Sequence, residues 1–169
     1  MNKLSTAAVC AGLLALGAVS AAVAQAPAPQ PDYHPSFGDL MTFAVQPRHI
    51  KLGISGKARN WEYAAYESSE LRNAFLRIGR TIPAYRKQAL PDMFASAILP
   101  SMDKLDAAIK AKDGKAFDAA YAEVTASCNN CHAGLDHAFV VIREPSASPY
   151  ADQNLTGKTA ARGKTGKSK

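Results

Sequence analysis

The residues best suited to chemistry form one short motif near the C-terminal end of the chain, Cys128-Asn129-Asn130-Cys131-His132. Two thiols at this spacing can each add across a vinyl group of a haem, and the histidine that follows can bind the haem iron. The pattern C-x-x-C-H is therefore typical of covalent c-type haem attachment. We expect Cys128 and Cys131 to hold one haem c through thioethers, with His132 as the proximal axial ligand of the iron.

The same two thiols have other uses, and the residues leave two of them open. A zinc site normally takes four ligands from two spaced pairs, and the chain has no second cysteine pair of this kind. A thioredoxin-like C-x-x-C normally belongs to a βαβ unit, whereas this motif comes late in a predicted helix. A redox-active dithiol and a plain disulfide remain as alternatives, but a disulfide would leave His132 without a role.

The N-terminal segment has the features of a secretory signal. Lys3 supplies a positive charge, residues 7–23 are small and apolar, and Ala22-Val23-Ala24 is a small-x-small cleavage signal. The apolar run is rich in alanine and shorter than the roughly 20 strongly apolar residues that a transmembrane helix needs. We therefore predict a signal peptide over residues 1–24 and export to the periplasm.

Removal of that peptide would take Cys10 away and leave Cys128 and Cys131 as the cysteines of the mature chain. About 145 residues would remain, which is the size of one domain with a single core. We expect a Pro-rich leader over residues 25–35 and a helical domain over residues 36–142. Residues 143–169 are expected to form a Pro-containing linker and a basic, disordered tail.

Charge separates that tail from the body of the protein. The chain has 20 Lys and Arg against 14 Asp and Glu, a formal net charge of +6. Lys3 and the five basic residues after Gly157 account for the whole excess, so the body between them is neutral. The basic tail is a candidate for weak contact with a membrane surface or an acidic partner. We expect no nucleic acid partner.

Apolar residues recur with helical spacing in four segments, and no strand-like alternation persists. The predicted helices cover residues 37–52, 60–80, 91–112 and 113–137. Asn60 and Asp113 are good N-cap residues for the second and fourth helices. Pro47 should loosen or kink the first helix and Pro100 the third.

Gly53 and Gly56 are expected to end the first helix. Four helices with short connections favour an all-α fold, an antiparallel four-helix bundle. On the last helix Cys128, Cys131 and His132 fall at i, i+3 and i+4, which places them on one side. The apolar residues 139–142 are expected to pack back over the end of the bundle.

An exported four-helix chain with its C-x-x-C-H motif on the last helix resembles the class II cytochromes c, the cytochrome c′ proteins and their low-spin relatives. The resemblance covers residues 37–137. It implies a covalent haem within the bundle and, as is frequent in the class, a homodimer. The extension after His137 departs from the class, in which the chain usually ends soon after the haem motif.

The resemblance also implies that the first helix lines the distal face of the haem. Met41 lies about twenty residues before Trp61, similar to the spacing of the ligand Met in low-spin members of the class. Met41 is therefore the candidate distal axial ligand, and His49 is the alternative. A thioether would favour Fe(II) and raise the potential, whereas a second histidine would lower it.

One haem with a sixth ligand and no convergent acid–base constellation indicates electron transfer. We expect a monohaem cytochrome that is not an enzyme and that passes one electron between exported redox partner proteins, through small and transient contacts. The alternative is a five-coordinate cytochrome c′-like protein that binds nitric oxide or carbon monoxide. A peroxidase would need a base and a cation at the iron, and the adjacent pair Arg48 and His49 diverges by about 100° on a helix.

Overall fold

The computed structural model describes residues 33–157, which are mostly helical and, from His34 onward, belong to one compact unit. The elements are α1 (Phe37–Leu40), a π-helical segment (Met41–Val45), α2 (Gln46–Lys57), α3 (Trp61–Thr81), β1 (Ala84–Tyr85), β2 (Gln88–Ala89), α4 (Leu90–Ala97), α5 (Leu99–Ala111) and α6 (Gly114–Gly134). The prediction of an all-α fold is confirmed at this level. The predicted signal peptide, the leader up to residue 32 and the tail from residue 158 lie outside the described residues.

The two predicted N-caps are confirmed. The Asn60 side chain accepts a hydrogen bond from the backbone N–H of Tyr63, and α3 begins at Trp61, the residue after Asn60. The Asp113 carboxylate accepts from the N–H groups of Lys115 and Ala116 at 2.9 and 3.0 Å. These bonds satisfy N–H groups that the first turn of a helix leaves unpaired, so both starts are fixed by local sequence.

Pro47 loosens the first helix, as predicted. Proline has no N–H to donate, and its ring crowds the carbonyl four residues back, here that of Phe43. The backbone answers by widening into the π-helical segment, where the N–H of Gln46 donates to the carbonyl of Met41, five residues earlier. Met41 therefore begins an irregular turn, a feature that often marks functional sites.

The prediction that Gly53 and Gly56 end the first helix is wrong, because α2 continues to Lys57. Both glycines are buried where α2 approaches α6. A Cβ atom at Gly53 would overlap the Tyr121 phenol, and one at Gly56 would overlap the Phe117 ring. These glycines therefore serve the close approach of two helices and do not mark a turn.

Replacing Gly56 by alanine should destabilise the protein. Alanine is the better helix former by about 1 kcal/mol, but overpacking against the fully buried Phe117 ring costs about 1–3 kcal/mol. Urea unfolding of Gly56→Ala should give a lower free energy of unfolding than the parent. Gly134→Ala is the control, because nothing lies within 4 Å of its Cβ position, and it should equal or exceed the parent. Equal stability of the two variants would contradict this packing.

The third predicted helix is divided in two around Pro100. Helix α4 ends at Ala97 and α5 begins at Leu99, so that Pro100 lies in the first turn of a new helix where its missing N–H costs nothing. A short antiparallel hairpin, β1–β2, precedes α4 and was not predicted. Its turn residues Arg86 and Lys87 have φ of 47° and 67°, a conformation usually taken by Asn-Gly, so the usual turn signal is missing.

The helices pack as neighbours around one core. Helix α2 contacts α3, α3 contacts α5, α5 contacts α6, and α6 contacts α2. The large side chains at the centre are fully buried or nearly so: Leu52, Leu71, Phe75, Ile78, Phe94, Met102, Leu105, Phe117, Tyr121 and Val124. The last three lie on α6, and their buried face continues into the C-x-x-C-H motif.

The chain after α6 stays on the helical body, and we call residues 138–157 the C-terminal strap. Leu155 is only 2% exposed, and the Asn60 amide donates to the carbonyls of Leu155 and Gly157, each at 3.2 Å. An ion pair joins Lys57 to Glu144 at 2.6 Å. The residues predicted as a linker from position 143 therefore contact α2 and the start of α3.

Candidate haem-binding site

The side chains of Cys128, Cys131 and His132 are half-buried in the last turns of α6 and line one cavity of about 270 Å³. Their common side of the helix follows from the i, i+3, i+4 spacing, as predicted. The other walls are mostly apolar and include Phe37, Val45, Phe75, Phe94, Ile98 and Leu135. An apolar cavity beside the motif suits a flat, largely apolar cofactor.

The two cysteines are separate thiols in the structure. Burial, with a smaller contribution from neighbouring Cys131, raises the pKa of Cys128 to about 12, and burial also raises the pKa of Cys131. A redox-active dithiol needs a lowered pKa, because the thiolate is the nucleophile. No group of three or more His, Cys, Asp or Glu side chains among residues 33–157 is placed to hold a metal ion.

The ring of His132 has a defined tautomer. Its Nδ1 lies 2.8 Å from the backbone carbonyl oxygen of Val140. A carbonyl only accepts, so Nδ1 carries the proton and donates it. In the neutral ring Nε2 then keeps a lone pair, which is the form that binds a metal. A backbone acceptor on the second nitrogen is the usual way in which proteins orient a ligating histidine.

Met41, the predicted distal ligand, lines the same cavity as the motif. It is half-buried, it packs against the hydrophobic core, and it belongs to the π-helical segment rather than to α6. Its thioether is a soft, neutral donor of the kind found on haem iron in cytochromes c. The structure therefore brings Met41 and His132 to one cavity from different parts of the chain.

His49, the alternative distal ligand, also lines the cavity, but its Nε2 is already hydrogen-bonded. Thr125 Oγ1 donates its proton to the Tyr121 carbonyl at 3.0 Å, so it accepts from His49 Nε2 at 2.9 Å. The Tyr121 hydroxyl donates its one proton to the His49 backbone carbonyl at 2.8 Å and lies 3.1 Å from His49 Nδ1. Burial lowers the pKa of His49 to about 4, which keeps the ring neutral. Iron ligation by Nε2 would break the bond to Thr125.

Three contacts at the site were not predicted. Asn129 donates from Nδ2 to the Ile142 carbonyl at 3.0 Å and accepts at Oδ1 from the Ile142 N–H at 2.7 Å. Val140 supplies the acceptor for His132, and Cys131 Sγ lies 3.4 Å from Met93 Sδ. Haem attachment does not specify the residues between the cysteines, so the motif alone carried no signal for these contacts.

Residues 139–142 were expected to pack back over the end of the bundle, and part of this run lies beside the C-x-x-C-H motif. Val140, Val141 and Ile142 line the cavity, whereas Phe139 is 81% exposed. The donor set at the cavity fits a covalent haem: two separate thiols, an imidazole with a lone pair on Nε2, a thioether from another segment, and apolar walls.

Comparisons with models of known protein families, with curated proteins and with solved structures found no match to this chain. Within the described residues, none of the helices combines the length and apolar character that crossing a membrane requires.

Proposed function

We propose that this chain is an exported monohaem c-type cytochrome that transfers one electron and does not act as an enzyme. A single observation carries the proposal: one apolar cavity is lined by the Cys128 and Cys131 thiols, by a His132 ring whose Nδ1 is occupied, and by the Met41 thioether. Each of these four groups has a role in a low-spin c-type site.

The helix contacts support a four-helix bundle of the class II cytochrome type. The first helix of the bundle would comprise α1, the π-helical segment and α2, and the second would be α3. The third would comprise α4 and α5, and the fourth would be α6. Each of these four helices contacts the next, and the fourth also contacts the first. Such bundles build cofactor sites from side chains on facing helices.

The chain's own residues divide the work. Cys128 and Cys131 would hold the haem through thioethers, so that retention does not depend on the iron bond alone. His132 presents Nε2 while Val140 holds its Nδ1 proton, and the apolar walls exclude water. The bound haem supplies an Fe(III)/Fe(II) couple whose potential depends on the axial ligands.

Met41 is the favoured sixth ligand. His49 is held by Thr125 and Tyr121, so its use would cost a buried hydrogen bond and leave the Thr125 hydroxyl to find another donor. If Met41 and His132 both bound the iron, the neutral thioether would raise the potential and would leave no open position for gas binding. Electron transfer is therefore favoured over the cytochrome c′-like alternative.

A signal peptide over residues 1–24 would deliver the chain to the periplasm, where its partners would be exported donors and acceptors of electrons. We propose small, transient contacts with those proteins, as is usual for electron transfer. We also propose that the protein forms a homodimer and that its basic tail makes weak contact with a membrane surface.

Replacing Met41 by leucine tests the ligand set. The change conserves volume but removes the sulfur donor. The oxidised parent should show a sulfur-to-iron charge-transfer band, and the variant should lose it, become high-spin and bind carbon monoxide when reduced. Visible and near-infrared spectra of the purified holoprotein measure all three.

Met93→Leu is the matched control, because Met93 is also half-buried but has its sulfur beside Cys131. This variant should keep the parent spectrum. Persistence of the band in Met41→Leu would remove Met41 from the iron. A parent that is high-spin and binds carbon monoxide would instead support the gas-binding alternative.

A further inference from the structure

Asn129 occupies the first variable position of the haem motif and binds the C-terminal strap. Its side-chain amide makes two hydrogen bonds with the backbone of Ile142, at 3.0 and 2.7 Å, and so pairs with that residue as a neighbouring strand would. Asn130, the second variable position, is exposed. Of these two adjacent asparagines, Asn129 is the one that is hydrogen-bonded to the strap.

The strap returns to the motif at a second point. Val140, two residues before Ile142, accepts the Nδ1 proton of His132. Asn129 and His132 are three residues apart, which is nearly one helical turn, so α6 contacts the strap at positions 142 and 140 in succession. The bonds made by Asn129 therefore hold the strap on the C-terminal side of the carbonyl that His132 uses.

Other anchors hold the strap away from the motif. Lys57 pairs with Glu144 at 2.6 Å, and Asn60 binds the carbonyls of Leu155 and Gly157. The N-terminal end of the strap is held at the end of α6, because the N–H of His137, the residue before the strap, donates to the His132 carbonyl at 2.7 Å. The Val140 N–H also donates to the His137 carbonyl at 2.8 Å, so loss of the Asn129 amide would loosen the strap around Ile142 without releasing it from the body.

We infer that Asn129 is a positioning residue for the axial imidazole: it holds the strap so that the Val140 carbonyl orients His132. The inference rests on the proposed function. A hydrogen-bond acceptor at Nδ1 fixes the ring orientation and makes the opposite nitrogen a stronger donor to the metal. Through this contact the extension beyond the helices becomes part of the haem site.

The test compares Asn129→Ala with Asn130→Ala in holoprotein that also carries Met41→Leu, so that the reduced iron is five-coordinate. Asn129→Ala should speed amide hydrogen exchange at Ile142 by about tenfold, the effect of one or two lost hydrogen bonds. It should also lower the iron–imidazole stretching frequency in the resonance Raman spectrum, because the ring becomes a weaker donor. Asn130→Ala should change neither quantity.

Asn129→Asp is the conservative variant, since it keeps the acceptor for the Ile142 N–H but loses the donor to the Ile142 carbonyl. It should fall between the parent and the alanine variant in both measurements. Unchanged exchange at Ile142, or faster exchange with an unchanged stretching frequency, would overturn the inference and leave the proposed function intact. A parent whose mass includes no haem would instead remove the proposed function, and the inference with it.

Discussion

A variant with alanine at both Cys128 and Cys131 will carry no covalent haem, whereas the parent will weigh one haem more than its processed polypeptide. The two thiols line the cavity as separate groups, and thioether formation consumes both. Mass spectrometry under denaturing conditions measures the outcome directly, because a haem held only by axial ligands would be lost. The effect is all-or-none and is the largest that we expect.

Single variants and the third cysteine supply the controls. Cys128→Ala and Cys131→Ala each keep one thiol, so the fraction that retains haem should do so through one bond and show an altered haemochrome spectrum. Cys10→Ala should change neither the mature mass nor the colour, because Cys10 lies in the predicted signal peptide. A colourless parent whose mass is lower by the hydrogen lost in a disulfide would contradict the haem assignment.

The parts of the fold that could be predicted from sequence are those with local causes. The starts of α3 and α6 depend on Asn60 and Asp113, each of which caps N–H groups within three residues of itself. The widening before Pro47 and the break at Pro100 follow from the missing N–H of proline. These signals are written in neighbouring residues and need no knowledge of the packing.

Apart from the local β1–β2 hairpin, the features of the fold that were not predicted depend on residues far away in the chain. Gly53 and Gly56 were predicted to end the first helix because glycine often follows the last residue of a helix. In the structure they leave room for the Tyr121 and Phe117 rings on α6. The same holds for the strap: Leu155 is buried, and the Asn60 amide that donates to its carbonyl lies 95 residues earlier.

In the candidate site, too, the features with local causes were predicted and most of the contacts between separate segments were not. The thiols and His132 share one side of α6 and line one cavity, as their spacing predicted, because i, i+3 and i+4 positions are neighbours on a helix. The hydrogen bond from His132 to Val140 and the network that occupies His49 depend on how separate segments meet. Periodicity could place His49 on the first helix but could not show that Thr125 and Tyr121 already bind it.

Replacing Arg48 by alanine should cost about 3 kcal/mol of folding free energy. The carboxylate of Glu67 is fully buried on α3 and accepts from Arg48 Nη1 at 3.1 and 3.4 Å. Removing one partner of a buried ion pair costs about 3–5 kcal/mol, because the remaining charge stays unpaired. The lower end applies here, since the Arg48 side chain is 29% exposed and water can reach its place.

Lys104→Ala is the matched control, because Lys104 pairs with Glu123 at 2.6 Å while the two side chains are 63% and 49% exposed. Surface pairs of this kind contribute about 0–1 kcal/mol, so this variant should unfold close to the parent in urea. Adding Glu67→Gln to Arg48→Ala should restore part of the loss, since a neutral amide costs less to bury than a carboxylate. If Arg48→Ala and Lys104→Ala were equally stable, burial of Glu67 would not govern the packing of α2 on α3.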